Sequence, residues 1–126
     1  MREITTSVGI DIEDVNRFRS STKNRRFLSY IFTQDEISYY RSKGKNPQSL
    51  AGMFAAKEAT IKALSQLVGN RYAVSDFAIQ HDKEGIPFVT ESDRRKVGRL
   101  PKGIVISLSI AHTRGQAMAV AVAHKE

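Results

Sequence analysis

The sequence contains no cysteine. That excludes a disulfide framework, a thiolate metal site and a thiol nucleophile. A reducing cytoplasm is the compatible setting. Long apolar runs are also missing. The longest, residues 117–123, is far too short to cross a bilayer. Residues 1–6 turn polar at once and offer no apolar core for a secretory signal. Internal repeats, low-complexity tracts and linkers are absent too. A length of 126 residues is then expected to form one domain, 1–126, with a small but real core.

Acidic residues are in deficit, with 13 against 20 basic ones, leaving a formal charge of +7. A basic surface calls for an anionic partner: nucleic acid, anionic lipid, a phosphorylated small molecule or an acidic protein. The charge is uneven. Arg17, Arg19, Lys23, Arg25 and Arg26 crowd ten positions, and Arg41, Lys43 and Lys45 form a second group. Arg94, Arg95 and Lys96, near Arg99 and Lys102, read as a solvated face. No zinc motif, helix-turn-helix spacing or aromatic RNA platform accompanies the charge, which argues against nucleic acid.

Alternation of Val8, Ile10 and Ile12 with Gly9 and Asp11 predicts a strand over 7–12. Asp11 falls opposite the apolar row, at the strand end. Short helices are expected from Asp14 and over 26–32. Thr33 with Glu36 three residues on is a capping box, predicting a helix through about Arg41. A long helix is expected from Pro47 or Ser49 to Val68, stopped by Gly69 and Asn70. Strands follow at 74–80, 86–89, 104–110 and 117–123, with turns at 82–85 and 113–115 and a short helix over 92–100. Pro87 marks an edge. The order favours an α+β fold: an antiparallel β-sheet packed with one long helix and short helices. The strand alternation implies that one sheet face is partly polar or meets another subunit.

Within the long helix, Leu50, Phe54, Ile61 and Ser65 share a face, and Glu58 falls about 40° from Phe54. A carboxylate at the edge of a buried stripe is half desolvated and wants a cation. An exposed Glu58–Lys62 pair at i,i+4 is the plain alternative. Asp11 and Glu58, oxygen ligands from two separate elements, suit Mg²⁺, which keeps waters and phosphate oxygens in its other positions. Lys62, one turn on, and His112, at a strand end, can meet the same phosphate.

Gly9-Ile10-Asp11-Ile12 with Arg17 resembles the opening motif of the holo-acyl-carrier-protein synthase group of 4′-phosphopantetheinyl transferases. The likeness continues in order. It runs through Arg26-Phe27, Phe32-Thr33 and Glu36, then Leu50-Ala51-Gly52 and Phe54-Ala55-Ala56-Lys57-Glu58-Ala59 with Lys62-Ala63. Gly85-Ile86-Pro87 and Ser109-Ile110-Ala111-His112-Thr113 complete it. The resemblance implies transfer of the 4′-phosphopantetheine arm of coenzyme A to a serine of apo acyl carrier protein, releasing 3′,5′-ADP. It implies Asp11 and Glu58 as Mg²⁺ ligands and as catalytic residues with Lys62. Lys62, Gly85, Pro87, His112 and Thr113 would bind coenzyme A. Arg17, with Arg25 and Arg26, would dock the acidic carrier. Glu58 or a water on the metal are the candidates for the base. The resemblance also implies a homotrimer with sites shared between neighbours.

Three departures stand out. Met53 occupies the place of an Arg that contacts a coenzyme A phosphate, with Arg41, Lys43 or Lys45 as nearby substitutes. Ala111 replaces a Ser or Thr. Residues 64–67 replace a Gly-Thr-Gly turn, which predicts a helix one turn longer. These departures motivate one alternative: a weakened family member serving as a carrier-protein-binding subunit.

Overall fold

A computed structural model describes residues 3–21, 24–92 and 100–126. The expected helix over 92–100 and the cluster at Arg94, Arg95, Lys96 and Arg99 lie outside the described residues, as does Lys23. The chain runs β1 (Thr6–Asp14), α1 (Val15–Ser21), α2 (Arg25–Ile31), α3 (Gln34–Ser42) and α4 (Pro47–Val68). After a 3₁₀ turn (Val74–Asp76) come β2 (Phe77–His81), β3 (Pro87–Glu91), β4 (Ile104–His112) and β5 (Gln116–Lys125). The described strands form an antiparallel sheet of order β1-β5-β4 and a separate β2–β3 hairpin. The α+β expectation holds.

Helix α4 organises the molecule, and its ends are written in the sequence. The Asn46 side chain accepts from Gln48 N, Pro47 fills the first turn, and Gly69 closes the helix at φ 77°. Gly69 takes this left-handed conformation without a Cβ penalty. With no glycine at 64–67, the helix continues to Val68 as expected. The Thr33–Glu36 capping box is formed in full at the start of α3.

Strand β1 runs two residues past Ile12, so Asp11 is not at its end. The face of Asp11 is also the one that meets the core. Ser7 and Gly9 are buried, whereas Val8, Ile10 and Ile12 are 53–56% exposed. Backbone proximity explains this. A Cβ on Gly9 would fall 1.9 Å from Ala59 O, so α4 rests directly on the strand. Strand β5 continues the pattern with Ala117, Ala119, Ala121 and Ala123 fully buried beneath the helix. Small residues line the inner face of β1 and β5, Ile106, Leu108 and Ile110 that of β4, and Val8, Ile10, Ile12, Val105 and Met118 stand on the outer face.

The expected strand over 74–80 begins three residues late. Asp76 folds its carboxylate back onto Ala73 N at 2.8 Å, and its own N–H donates to Ala73 O. That local turn wins over strand periodicity.

Candidate active site

The close approach of β1 to α4 sets the first half of the site. Ser7 Oγ donates to Ala63 O, and the Gly9 contact fixes the register of strand against helix. Two residues on, Asp11 comes level with the turn of α4 that carries Glu58 and Lys62. Lys62 Nζ donates to Ile10 O at 2.9 Å and lies 3.5 Å from Asp11 Oδ1. Gln66 donates to Val8 O at 3.0 Å, so Lys62 and Gln66 together cover the free edge of β1. The structure thus brings Asp11, Glu58 and Lys62 together. Lys62 makes its close ion-pair contact with Asp11 rather than closing the plain i,i+4 pair with Glu58.

The electrostatics of this group favour a cation. Burial raises the Glu58 carboxyl above its ordinary value, and the charge of Asp11 raises it further; Lys62 and Arg17 oppose both. Asp11 Oδ2 is buried without a hydrogen-bond partner. A sealed carboxylate oxygen lacking a donor is costly. A divalent ion would satisfy that oxygen and quench its repulsion with Glu58, so the residues fit Mg²⁺. Among the described residues no three carboxylate or imidazole side chains form a ready metal cage. Two carboxylates with water and phosphate oxygens are the usual coordination of this ion.

Glu13 joins the group and escaped the sequence reading. It lies on the same strand face as Asp11. Burial pushes its carboxyl up to about 7, the neighbouring Asp11 adds to the rise, and Arg17 lowers it. Protonated, Glu13 can hydrogen-bond the Asp11 side chain; ionised, it has no hydrogen to donate. Alternation of Asp11, Glu13 along β1 was the signal available. Arg17 Nη1 donates to Glu13 Oε1 at 2.9 Å, and its guanidinium lies 5.2 Å from the Phe54 ring centre. Arg17 is therefore held beside the carboxylates. Arg25 and Arg26 stand apart from it, lining a groove with Arg41 over an apolar floor of Leu28 and Ile37.

The second half of the site is a cavity of about 230 Å³ under the first turns of α4. Gly85, Pro87 and His112, the residues expected to bind coenzyme A, line it together with Gly52, Met53, Tyr39 and His81. A Cβ on Gly52 would come 3.0 Å from the Ile110 side chain, so glycine lets the helix sit on β4 here. Gly85, at φ 84°, turns the β2–β3 hairpin. Thr113 follows His112 in the β4–β5 turn, where its hydroxyl accepts from Gln116 N and its carbonyl from Gln48 Nε2. Both His112 and Thr113 also border a second hollow beside Ile12 and Met118 on the outer sheet face. None of Asp11, Glu58 and Lys62 lines the cavity. Within one chain, then, the carboxylates, level with the middle of α4, and the residues lining the cavity at its start form two separate groups.

A family model described as the 4′-phosphopantetheinyl transferase superfamily matches residues 7–121. Holo-[acyl-carrier-protein] synthase of Caldicellulosiruptor saccharolyticus is 43% identical over 95% of this chain and 97% of its own. That of Caldicellulosiruptor bescii is 40% identical over 94% and 98%. Among solved structures, the Helicobacter pylori synthase in complex with coenzyme A superposes with a TM-score of 0.71 at 30% identity, covering 92% of this chain and 98% of that one. The Bacillus anthracis synthase in complex with CoA (3′,5′-ADP) gives 0.75 at 25%, covering 98% and 100%. Motif order, α4 and the sheet agree with these likenesses, and the chain belongs to the 4′-phosphopantetheinyl transferase superfamily, in its holo-[acyl-carrier-protein] synthase group.

Proposed function

We propose that this chain transfers 4′-phosphopantetheine from coenzyme A to a serine of apo acyl carrier protein. The serine gives its proton to a base, for which Glu58 is the candidate in this chain; its oxygen forms a bond to the β-phosphorus, the bond from that phosphorus to the bridging oxygen breaks, and adenosine 3′,5′-bisphosphate leaves. One observation carries the reading: the unpartnered, buried Asp11 Oδ2 beside Glu58, whose carboxyl is raised in part by Asp11. Asp11 and Glu58 would hold Mg²⁺, which would supply positive charge for the diphosphate and its leaving oxygen. Lys62, half-exposed and already turned toward Asp11, neutralises a diphosphate oxygen. His112, Thr113, Gly85 and Pro87 hold the nucleotide end. Arg17, Arg25 and Arg26 dock the acidic carrier, an attraction that weakens with salt.

The outer sheet face supports a homotrimer with shared sites. Val8, Ile10, Ile12, Val105 and Met118 form an exposed apolar surface of the kind that marks a protein interface. Copies packed through it join the carboxylates of one subunit to the cavity of the next. Light scattering should give three times the chain mass, and Ile10→Lys should lower it. A monomeric parent protein would remove this part of the proposal.

For the transfer itself, the protein is incubated with apo acyl carrier protein, coenzyme A and Mg²⁺, and the carrier is weighed by mass spectrometry. The carrier should gain one phosphopantetheine, and omission of Mg²⁺ should abolish the gain. A carrier that stays apo in the full mixture refutes the reading for that carrier. The alternative of a weakened carrier-binding subunit gains nothing from the structure, since Asp11, Glu58 and Lys62 are in mutual reach.

A further inference from the structure

The cavity lined by Gly85, Pro87 and His112 holds an aromatic pair that the proposed reaction leaves unused. Tyr39 and His81 stack face to face, with ring centres 3.7 Å apart and planes within 2°. Tyr39 comes from α3 and His81 from the end of β2, so two elements converge to make the stack. Lys43 Nζ lies 5.5 Å from the centre of the Tyr39 ring. Both rings line the cavity beside Met53, Pro87 and Ile110.

The imidazole is in a defined state. Its Nδ1 is buried and has no hydrogen-bond partner. Charging the ring would put a proton on that nitrogen with nothing to receive it. Burial, and then the positive charge of Lys43, lower its proton affinity below the ordinary value, while Asp82 opposes them. A neutral ring with bare, sealed Nδ1 carries its proton on Nε2. That leaves Nε2–H as the donor with which His81 can address a ligand in the cavity.

Two flat, stacked rings and a neutral donor, set in a lining that also offers Gln48 and Ser49, suit a heteroaromatic base better than a phosphate. A phosphate would favour a charged imidazole, which the buried Nδ1 resists. We propose that His81, held flat on Tyr39, is a specificity-determining residue that hydrogen-bonds the adenine of the coenzyme. The inference rests on the reading of this cavity as the nucleotide end of the site.

The test uses the full chain and titration calorimetry with adenosine 3′,5′-bisphosphate and with uridine 3′,5′-bisphosphate as probes. The parent protein should bind the adenosine compound more tightly. His81→Phe keeps a ring to stack on Tyr39 and removes the donor. It should weaken the adenosine compound about three- to tenfold, the weight of one neutral hydrogen bond, and erase the preference over uridine. In turnover assays the loss should fall on KM for coenzyme A rather than on kcat, and the melting temperature should hold. His81→Asn, which restores a donor without the ring, guards against a folding defect and should recover part of the affinity. Unchanged binding by a folded His81→Phe protein, with the parent active on the carrier, overturns this inference alone. A parent protein that binds neither bisphosphate overturns it together with the proposed function.

Discussion

Lys57 and Glu58 are neighbours on α4, but Lys57 meets an opposite charge and Glu58 a like one. Lys57 is fully buried; its Nζ donates to Glu36 Oε1 and to Ile31 O, and sits 5.1 Å from the Phe32 ring centre. Glu36, equally buried, accepts from Thr33 N and Lys57 with one oxygen and from Ile79 N with the other. Every strong demand of that pair is met inside the chain. It ties α2, α3, β2 and α4 together. Glu58 and Asp11, by contrast, are like charges with one sealed oxygen left over. A finished pair reads as architecture. An unfinished one reads as a place kept for a ligand.

The sharpest way to break this contrast is to cut both pairs and compare stability with activity. Lys57→Met should cost about 3–5 kcal/mol, because it strands a buried carboxylate. Denaturant unfolding measures it; a cost under about 1 kcal/mol would show that Glu36 finds water and that the pair is not structural. Glu58→Gln should leave stability intact, since it removes a repulsion. It should reduce kcat about 10²–10³-fold, the usual weight of one group that stabilises transition-state charge. Full activity in that variant would sink the metal-ligand assignment.

Lys62 lies between the two cases. It covers the edge of β1 through Ile10 O and also reaches toward Asp11. Its side chain is 52% exposed, so its ion pair contributes little to stability. Lys62→Gln should therefore change the unfolding free energy by less than about 0.5 kcal/mol while lowering kcat/KM for coenzyme A about tenfold. Equal activity in the variant would reduce Lys62 to edge cover.

How much of this was legible in the sequence depends on the range of the interaction. Local signals carried far: the Thr33–Glu36 box, the Pro47 start and the Gly69 stop of α4 all form as read. Asp11, Glu58 and Lys62 meet as expected because the motif fixes strand against helix. The orientation of β1 was harder. Hydrophobic alternation gives a period, but which face turns inward depended on the small side chains of Gly9 and β5 admitting the helix backbone. Lys57–Glu36 and Tyr39–His81 join residues 21 and 42 positions apart, and no local pattern marks either. Lys57 in particular reads as a solvent lysine until tertiary packing buries it.

Glu13 offers the smallest and most direct test of the unfinished half. Its carboxyl stands raised to about 7 in the folded chain against 4.5 as the ordinary value. The folded state then holds more protons than the unfolded one between these values. The stabilising contribution is present in full below about pH 4.5 and is lost as pH rises through about 7. Partial solvent screening limits it to about 1 kcal/mol. In metal-free protein, Glu13→Gln should flatten the stability profile over that window and leave the variant more stable than the parent at neutral pH. Divalent ion should shrink the effect in the parent only in part, because burial is the larger cause of the rise and neutralising Asp11 removes only what Asp11 adds to it. Unfolding curves with and without Mg²⁺ at pH 5 and pH 7.5 check both. A profile unaffected by either change would mean that Glu13 and Asp11 do not share one field, and that the carboxylates beside Glu58 are as settled as the pair beside Lys57.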